Sequence, residues 1–199
     1  MVAYTGFNED TTKNLLLDAG AIFVNYDVEV DTFATAKEKL LGATSGGNKF
    51  EAKPEYRQIG VDGVKGKAKG LSILESWEVS LTTNMLEFKE ETYKHALAGV
   101  KTSEVTSIDG DYTKIEAKNF IEDADYIDNI TFVGTLSGST RPVIIQVYNA
   151  LNMEGLSIEN KDGDDIVAEM KFEGHYDASN LDNPPFAIFY PKEAVVVLP

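Results

Sequence analysis

The stretch "SILESWEVSLTTNMLEF", residues 72–88, decides the fold class. Ile73, Trp77, Val79, Leu81 and Met85 fall on one face, and Ser72, Ser76, Glu78, Ser80, Thr82 and Asn84 on the other. That is the period of two required by a half-buried antiparallel strand. The alternation outlasts an ordinary strand, and its polar face holds small side chains and one acid. Trp77 lies on the apolar face, which makes it a core residue rather than a ligand-stacking platform.

Downstream, "DIVAEMKFEGHYD" (165–177) repeats the pattern, with Ile166, Ala168, Met170, Phe172 and Tyr176 set against Val167, Glu169, Lys171, Glu173 and His175. It predicts a second long strand with one wet face. Between the two, "FKEETYKHALAG" (88–99) reads as a helix. Glu90 and Glu91 occupy its first turn, Lys94 and His95 its last, Tyr93, Ala96 and Leu97 face inward, and Gly99 ends it. "SEVTSIDGDYTKIEAKNF" predicts two strands around an Asp109-Gly110 turn, and "YIDNITFVGTL" and "PVIIQVYNAL" are strands flanking "SGSTR". "GLSIEN" is expected to join the 165–177 strand through a hairpin turn at Lys161-Asp162-Gly163-Asp164.

Upstream, "NLLLDAGAIFVNYD" (14–27) is a strand with a kink expected at Gly20. "DTFATAKEKLLG" (31–42) suits a short helix capped by Asp31 or Thr32, with Phe33, Ala36 and Leu40 on one face and Gly42 as its stop. From Gly42 to Gly70 glycine and lysine dominate and the pattern dissolves, so this segment is a long loop or an extended hairpin arm. The fold class is mainly β with one or two short helices: two packed antiparallel sheets forming a β-sandwich or partly closed barrel, with a flanking helix and a long extended loop. Residues 1–199 fit a single domain, with the arm at about 42–70 and a C-terminal segment, about 184–199, that is a final strand or an inter-subunit arm.

The composition excludes several functions. Without cysteine there is no thiol catalysis, disulfide framework, zinc ribbon or iron–sulfur cluster. A net charge of −15 argues against gripping nucleic acid, since phosphate binding needs clustered cations. The N-terminal residues lack a basic and apolar leader, and the longest apolar run, near Val195–Leu198, is too short to span a bilayer, so a soluble chain with no membrane binding is expected. The charge is uneven: Lys49, Lys53, Arg57, Lys65, Lys67 and Lys69 make 42–70 basic, while Glu122, Asp123, Asp125 and Asp128 crowd elsewhere. Such a molecule can attract copies of itself.

Catalytic signatures are missing. His95 and His175 stand in different elements without metal-ligand spacing, and no nucleophile elbow, Walker loop or dinucleotide fingerprint occurs. Asn160, Asp162 and Asp164 suggest a calcium loop, but Asp165 stands where an EF-hand needs glycine and Lys171 where it needs a bidentate acid. No catalytic, metal or cofactor-binding residue is assigned, and no cofactor is expected.

Three segments, "NLLLDAGAIFVN", "IGVDGVKGKAKGLSILESWEVSLTTNMLEF" running into "KEETYKHALAG", and "RPVIIQVYNALNMEGLSIENKDGDDIVAEMKFEGHYD", carry a resemblance that spans about Asn14 to Asp177. In their order and spacing the chain resembles the major tail tube proteins of long-tailed bacteriophages, especially those infecting Gram-positive bacteria; contractile-tail tubes and the type VI secretion tube share that fold. The resemblance implies a structural protein rather than an enzyme, made in the host cytoplasm and built into the virion. Its copies would form homo-hexameric rings around a continuous β-barrel and stack into a conduit for DNA ejection, meeting tape measure, tail terminator and distal tail proteins. DNA would pass through without specific binding. Glu78, Glu169 and Glu173, on polar faces of long strands, are the expected lumen acids, and the basic 42–70 segment the ring-to-ring arm. In that setting deletion of about ten residues around Ser45–Phe50 is expected to spare the monomer and abolish tubes. The competing readings are a monomeric carbohydrate-binding or adhesin-like β-sandwich and a small β-rich hydrolase with paired carboxylates.

Overall fold

The 72–88 alternation is realised as a 14-residue strand, Ser72–Met85, hydrogen-bonded along its length to a 15-residue strand, Thr44–Gln58. This comes from a computed structural model, which describes residues 5–160 and 162–192. In chain order the strands are β1 (Leu16–Val24), β2 (Thr44–Gln58) and β3 (Ser72–Met85), then, after helix α1 (Glu90–Ala96), β4 (Val100–Ser107), β5 (Gly110–Ala117), β6 (Ile127–Leu136), β7 (Val143–Asn152), β8 (Ala168–Glu173) and β9 (Phe186–Phe189). Seven of them form one antiparallel sheet in the order β1-β6-β7-β8-β3-β2, with β9 also on β7, while β4 and β5 pair only with each other.

The large sheet curls into a half-barrel. The turn of the sheet falls on β7, which pairs with β6 and β9 along most of its length and with β8 only through Leu151 and Asn152. Asn149, at the bend, takes a φ of 46°, a left-handed conformation that asparagine tolerates better than most residues. The two halves therefore face each other across a core of Ile22, Ile130 and Val147 on one side and Leu81, Met85, Met170 and Phe172 on the other. A second cluster, Phe23, Tyr26, Ala36, Val133 and Ile144, packs on the back of β1, β6 and β7. Strands covered on both faces have no wet side, which is why β6 and β7 read as near-continuous apolar runs while β3 and β8 alternate.

β1 kinks where expected: its pairing with β6 slips between Leu17 and Ala21, with Asp18 and Gly20 both at positive φ. Gly20 lies against the Phe132 ring, where a Cβ has no room. The α1 helix is also as expected, with Lys94 paired to Glu90 at 2.7 Å and Glu91 at 2.9 Å and Ala96 fully buried. Its C-terminal carbonyl Ala96 O accepts from Asn152 Nδ2 at 2.7 Å, tying the helix to β7.

Four local expectations are corrected and one open alternative is decided. Residues 31–42 do not form an α-helix: Thr32 and Thr35 exchange backbone and hydroxyl hydrogen bonds in a local turn, only Lys37–Lys39 is helical, as a single 3-10 turn, and Phe33 is exposed. Of the two readings of the 42–70 segment the extended hairpin is the one observed, since pairing with β3 organises Thr44–Gln58 despite its glycines and leaves Ile59–Leu71 as the connection. "GLSIEN" is not a strand, and the turn at 162–164 joins no hairpin; Lys161 lies outside the described residues. β8 is only six residues long, ending before Gly174, whose Cα approaches Val147 and the Pro185 carbonyl too closely to admit a side chain. The β4–β5 turn is centred on Ile108-Asp109, with Ser107 opposite Gly110, and Gly110 (φ 130°) follows the turn instead of forming it. Of the C-terminal segment, Phe186–Phe189 is a strand, and 193–199 lie outside the described residues.

Candidate assembly surface

Alternation along β2, β3 and β8 sends one set of side chains to the core and the other to a continuous polar face. Phe50 and Ala52 of β2 pack on the core, so Lys49, Glu51, Lys53 and Glu55 point the other way. Register places Lys49 opposite Thr82, Glu51 opposite Ser80 and Lys53 opposite Glu78. On the far side of β3, Ser80 faces Glu173, Thr82 faces Lys171 and Asn84 faces Glu169. All three expected lumen acids therefore share this face. Glu78 and Glu169 are exposed, and Glu173 is half-buried and paired with Lys171 at 2.8 Å.

The face is not purely acidic: two of the lysines expected in the arm stand on it beside the expected lumen acids. Lys49 and Lys53 grip Glu51 at 2.9 and 3.0 Å in the middle of it. Hydrogen bonds from these lysines hold the Glu51 carboxyl below its ordinary pKa, and Glu173 holds the Lys171 ammonium above its own, against an opposing push from burial. Across the three strands Lys49, Lys53 and Lys171 stand among Glu51, Glu55, Glu78, Glu169 and Glu173. Lys171 and Glu51 were readable in the sequence only as members of alternating pieces, since their meeting depends on the β2–β3–β8 register.

Of the six basic residues, then, Lys49 and Lys53 belong to the polar face, and Arg57 pairs across the hairpin with Glu75. Lys65, Lys67 and Lys69 sit in the Ile59–Leu71 connection, exposed and without an ion-pair partner among the described residues. Beyond Ser76 the β2–β3 hairpin leaves the core. Tyr56, Ile73 and Leu74 are exposed on it, as are Ile59, Val61 and Val64 in the connection, and a register slip between Glu55 and Tyr56 marks the departure. This is an arm with an apolar stem and a basic tip. Its base is elsewhere: Asn48 and Phe50 lie opposite Thr83 and Leu81, both fully buried, so Ser45–Phe50 is not the arm's removable part.

His95 is half-buried on α1, and His175 Nδ1 lies 3.0 Å from Asn149 O at the β7 bend. Neither stands in a group of three or more residues able to hold a metal among the described residues. Also among these, no helix is long and apolar enough to cross a membrane.

The fold and its surfaces define a mainly β protein with a charged sheet face and a projecting hairpin. No protein-family model and no curated protein matches the chain. Among solved structures, it is similar to a chain from one described as the virion of a native gene transfer agent particle, at 8% identity, with 86% of this chain and 96% of that chain covered and a TM-score of 0.40.

Proposed function

We propose that the chain is a structural subunit, not an enzyme, that assembles through its hairpin arm and sheet edges into stacked hexameric rings, forming a phage-type tail tube through which DNA passes. The observation that carries this reading is the β2–β3 hairpin: its base builds the core and the polar face, and its outer half exposes Tyr56, Ile73 and Leu74, which belong to neither core cluster. Exposed apolar side chains grouped on one projecting element mark an interaction surface. The order and spacing of the segments that resemble tail tube proteins support the same reading.

β2 ends the sheet, so one row of its backbone groups faces no strand. Pro54 within it lacks an N–H, and β2 tolerates it as an edge strand. Asn48 at the base of β2 is taken up by β1, so pairing with a neighbouring subunit is best placed between Asn48 and Pro54, leaving the stem and tip to reach another ring. Facing the channel, the mixed polar face presents more acids than cations, and six copies of the chain carry a formal charge of about −90, which keeps DNA phosphates from adhering.

Negative-stain electron microscopy of the concentrated protein, with a light-scattering mass on the same sample, tests the reading. Hollow tubes or six-fold rings are expected. A monomer at every concentration, also in the presence of a preformed tail tip, would sink it.

A further inference from the structure

The β4–β5 hairpin pairs with no other strand, and every residue of β4 after Val100 is exposed. Its two-residue turn is Ile108-Asp109, and Ile108 is fully exposed at 104%. Turn tips favour Gly, Asn, Asp, Ser and Pro for local reasons, none of which applies to a β-branched apolar residue. Behind Ile108, Val105 and Tyr112 face each other across the two strands, both exposed, so the tip carries an apolar ridge. Asp109 and Asp111 flank it, and neither has an ion-pair partner among the described residues.

Elsewhere on the molecule lies a recess of about 690 Å³ lined by Val28, Phe33, Pro142, Ile144 and Phe189, and by Asp31, whose carboxylate is already paired with Lys39 at 2.6 Å. Arg141 stands at its edge; its backbone N–H donates to Ser139 Oγ, and its guanidinium has no ion-pair partner among the described residues. Lys192, also without an ion pair there, joins Arg141 in an adjoining hollow. In a chain with so many more acids than bases, two cations without ion pairs among the described residues, beside an apolar recess, complement two such acids beside an apolar tip.

We propose that the β4–β5 hairpin is a docking finger that seats Ile108 in the recess beside Arg141 of a second copy of this chain, with Asp109 and Asp111 facing Arg141 and Lys192. Finger and recess are different surfaces, so the contact is head-to-tail and repeats from copy to copy until it closes a ring or runs on as a filament. The inference rests on the self-assembly part of the tube reading and supplies it with a contact independent of the β2–β3 arm.

The chain has no cysteine, so an introduced thiol is the only one in its copy. One copy carries Ile108→Cys and the other Thr140→Cys, Thr140 lining the recess and the hollows beside it. Under mild oxidation the mixture is expected to give a disulfide-linked heterodimer at least about tenfold above either variant alone, because the bond forms only where two Cα atoms approach within about 7 Å. Arg141→Glu in the recess copy is expected to lower that yield, and Asp109→Lys with Asp111→Lys in the finger copy to restore it. Tubes without this cross-link overturn the finger and leave the tube reading standing. The cross-link without rings or tubes supports the finger and counts against the tube. A Val64→Cys copy trapping Thr140→Cys in place of Ile108→Cys gives the recess to the arm and overturns the proposal.

Discussion

Asn48 and Thr83 face each other across the base of the long hairpin, and the Thr83 hydroxyl donates to Asn48 Oδ1 at 2.6 Å. The same Asn48 donates through Nδ2 to Ala19 O, 2.8 Å away at the kink of β1. β1 and β2 are the two ends of the sheet order, so this one side chain clasps the half-barrel shut. Asn48→Ala leaves the fully buried Thr83 hydroxyl with only the weak Met85 Sδ acceptor at 3.9 Å, at an expected cost of about 1–3 kcal/mol. A double-mutant cycle with Thr83→Val, read by urea unfolding, is expected to show coupling above about 0.5 kcal/mol. Strict additivity would mean that the Asn48–Thr83 hydrogen bond contributes nothing.

The same geometry separates two deletions inside the basic segment. Removing residues around Ser45–Phe50 takes away the clasp and the Phe50 contact with the core, and is expected to abolish cooperative unfolding rather than spare the monomer. Shortening the Ile59–Leu71 connection to a two-residue turn removes Lys65, Lys67 and Lys69 and touches no core residue. Its melting temperature should stay within a few degrees of the parent while tube formation is lost. Tubes of normal length from the shortened protein would remove the arm's tip from assembly.

Periodicity revealed the strands but not their partners. β3 and β8 showed their inward sets over Trp77–Met85 and Ala168–Phe172, where each has one wet face, the condition under which alternation is informative, whereas Ile73 on the same face of β3 is exposed on the arm. β2 was legible only as one of two alternatives, because Gly46, Gly47 and Pro54 weaken a strand's local signal and only its pairing with β3 overrides them. The short helix expected at 31–42 failed for the opposite reason: Thr32 and Thr35 offer a local hydrogen-bonded alternative that two or three apolar residues do not outweigh. For the polar face, the acids Glu78, Glu169 and Glu173 were legible from alternation alone. That Lys49, Lys53 and Lys171 stand among them depends on register, which a single strand's pattern does not carry.

Burial places the His95 pKa below its ordinary value of 6.5, with Glu91 and Lys94 acting in opposite directions on it. A depressed histidine is neutral in the folded state and charges more readily once unfolded. Its contribution to stability is therefore present above pH 6.5 and is lost as pH falls from there through the folded pKa. The carboxylates whose pKa values are lowered, among them Glu51, Glu87 and Asp125, lose theirs only at lower pH, below their ordinary values. Unfolding free energy measured between pH 7 and pH 5 should decline in the wild type and decline less in His95→Gln. Parallel curves would show that His95 titrates alike in both states.

The polar face makes a sharper prediction about DNA. Glu78→Lys, Glu169→Lys and Glu173→Lys together leave Glu51 and Glu55 as its only acids on β2, β3 and β8, facing six lysines. Glu78 and Glu169 are exposed and Glu173 pairs only with Lys171, so the core is untouched and the subunit should fold and assemble. Were this face the channel wall, the reversal would replace phosphate repulsion with clustered cations, and each phosphate neutralised would steepen the salt dependence of binding by roughly 0.7–0.9 in log–log slope. Assembled variant tubes are expected to retain short single- and double-stranded DNA at low salt and release it as salt rises, while wild-type tubes retain none. DNA-binding sedimentation assays on both, with charge-reversed Glu38→Lys and Asp128→Lys, exposed acids outside the polar face and both hairpins, as a control, decide the matter. If the control binds DNA as tightly as the triple variant, the polar face is not the wall of the channel.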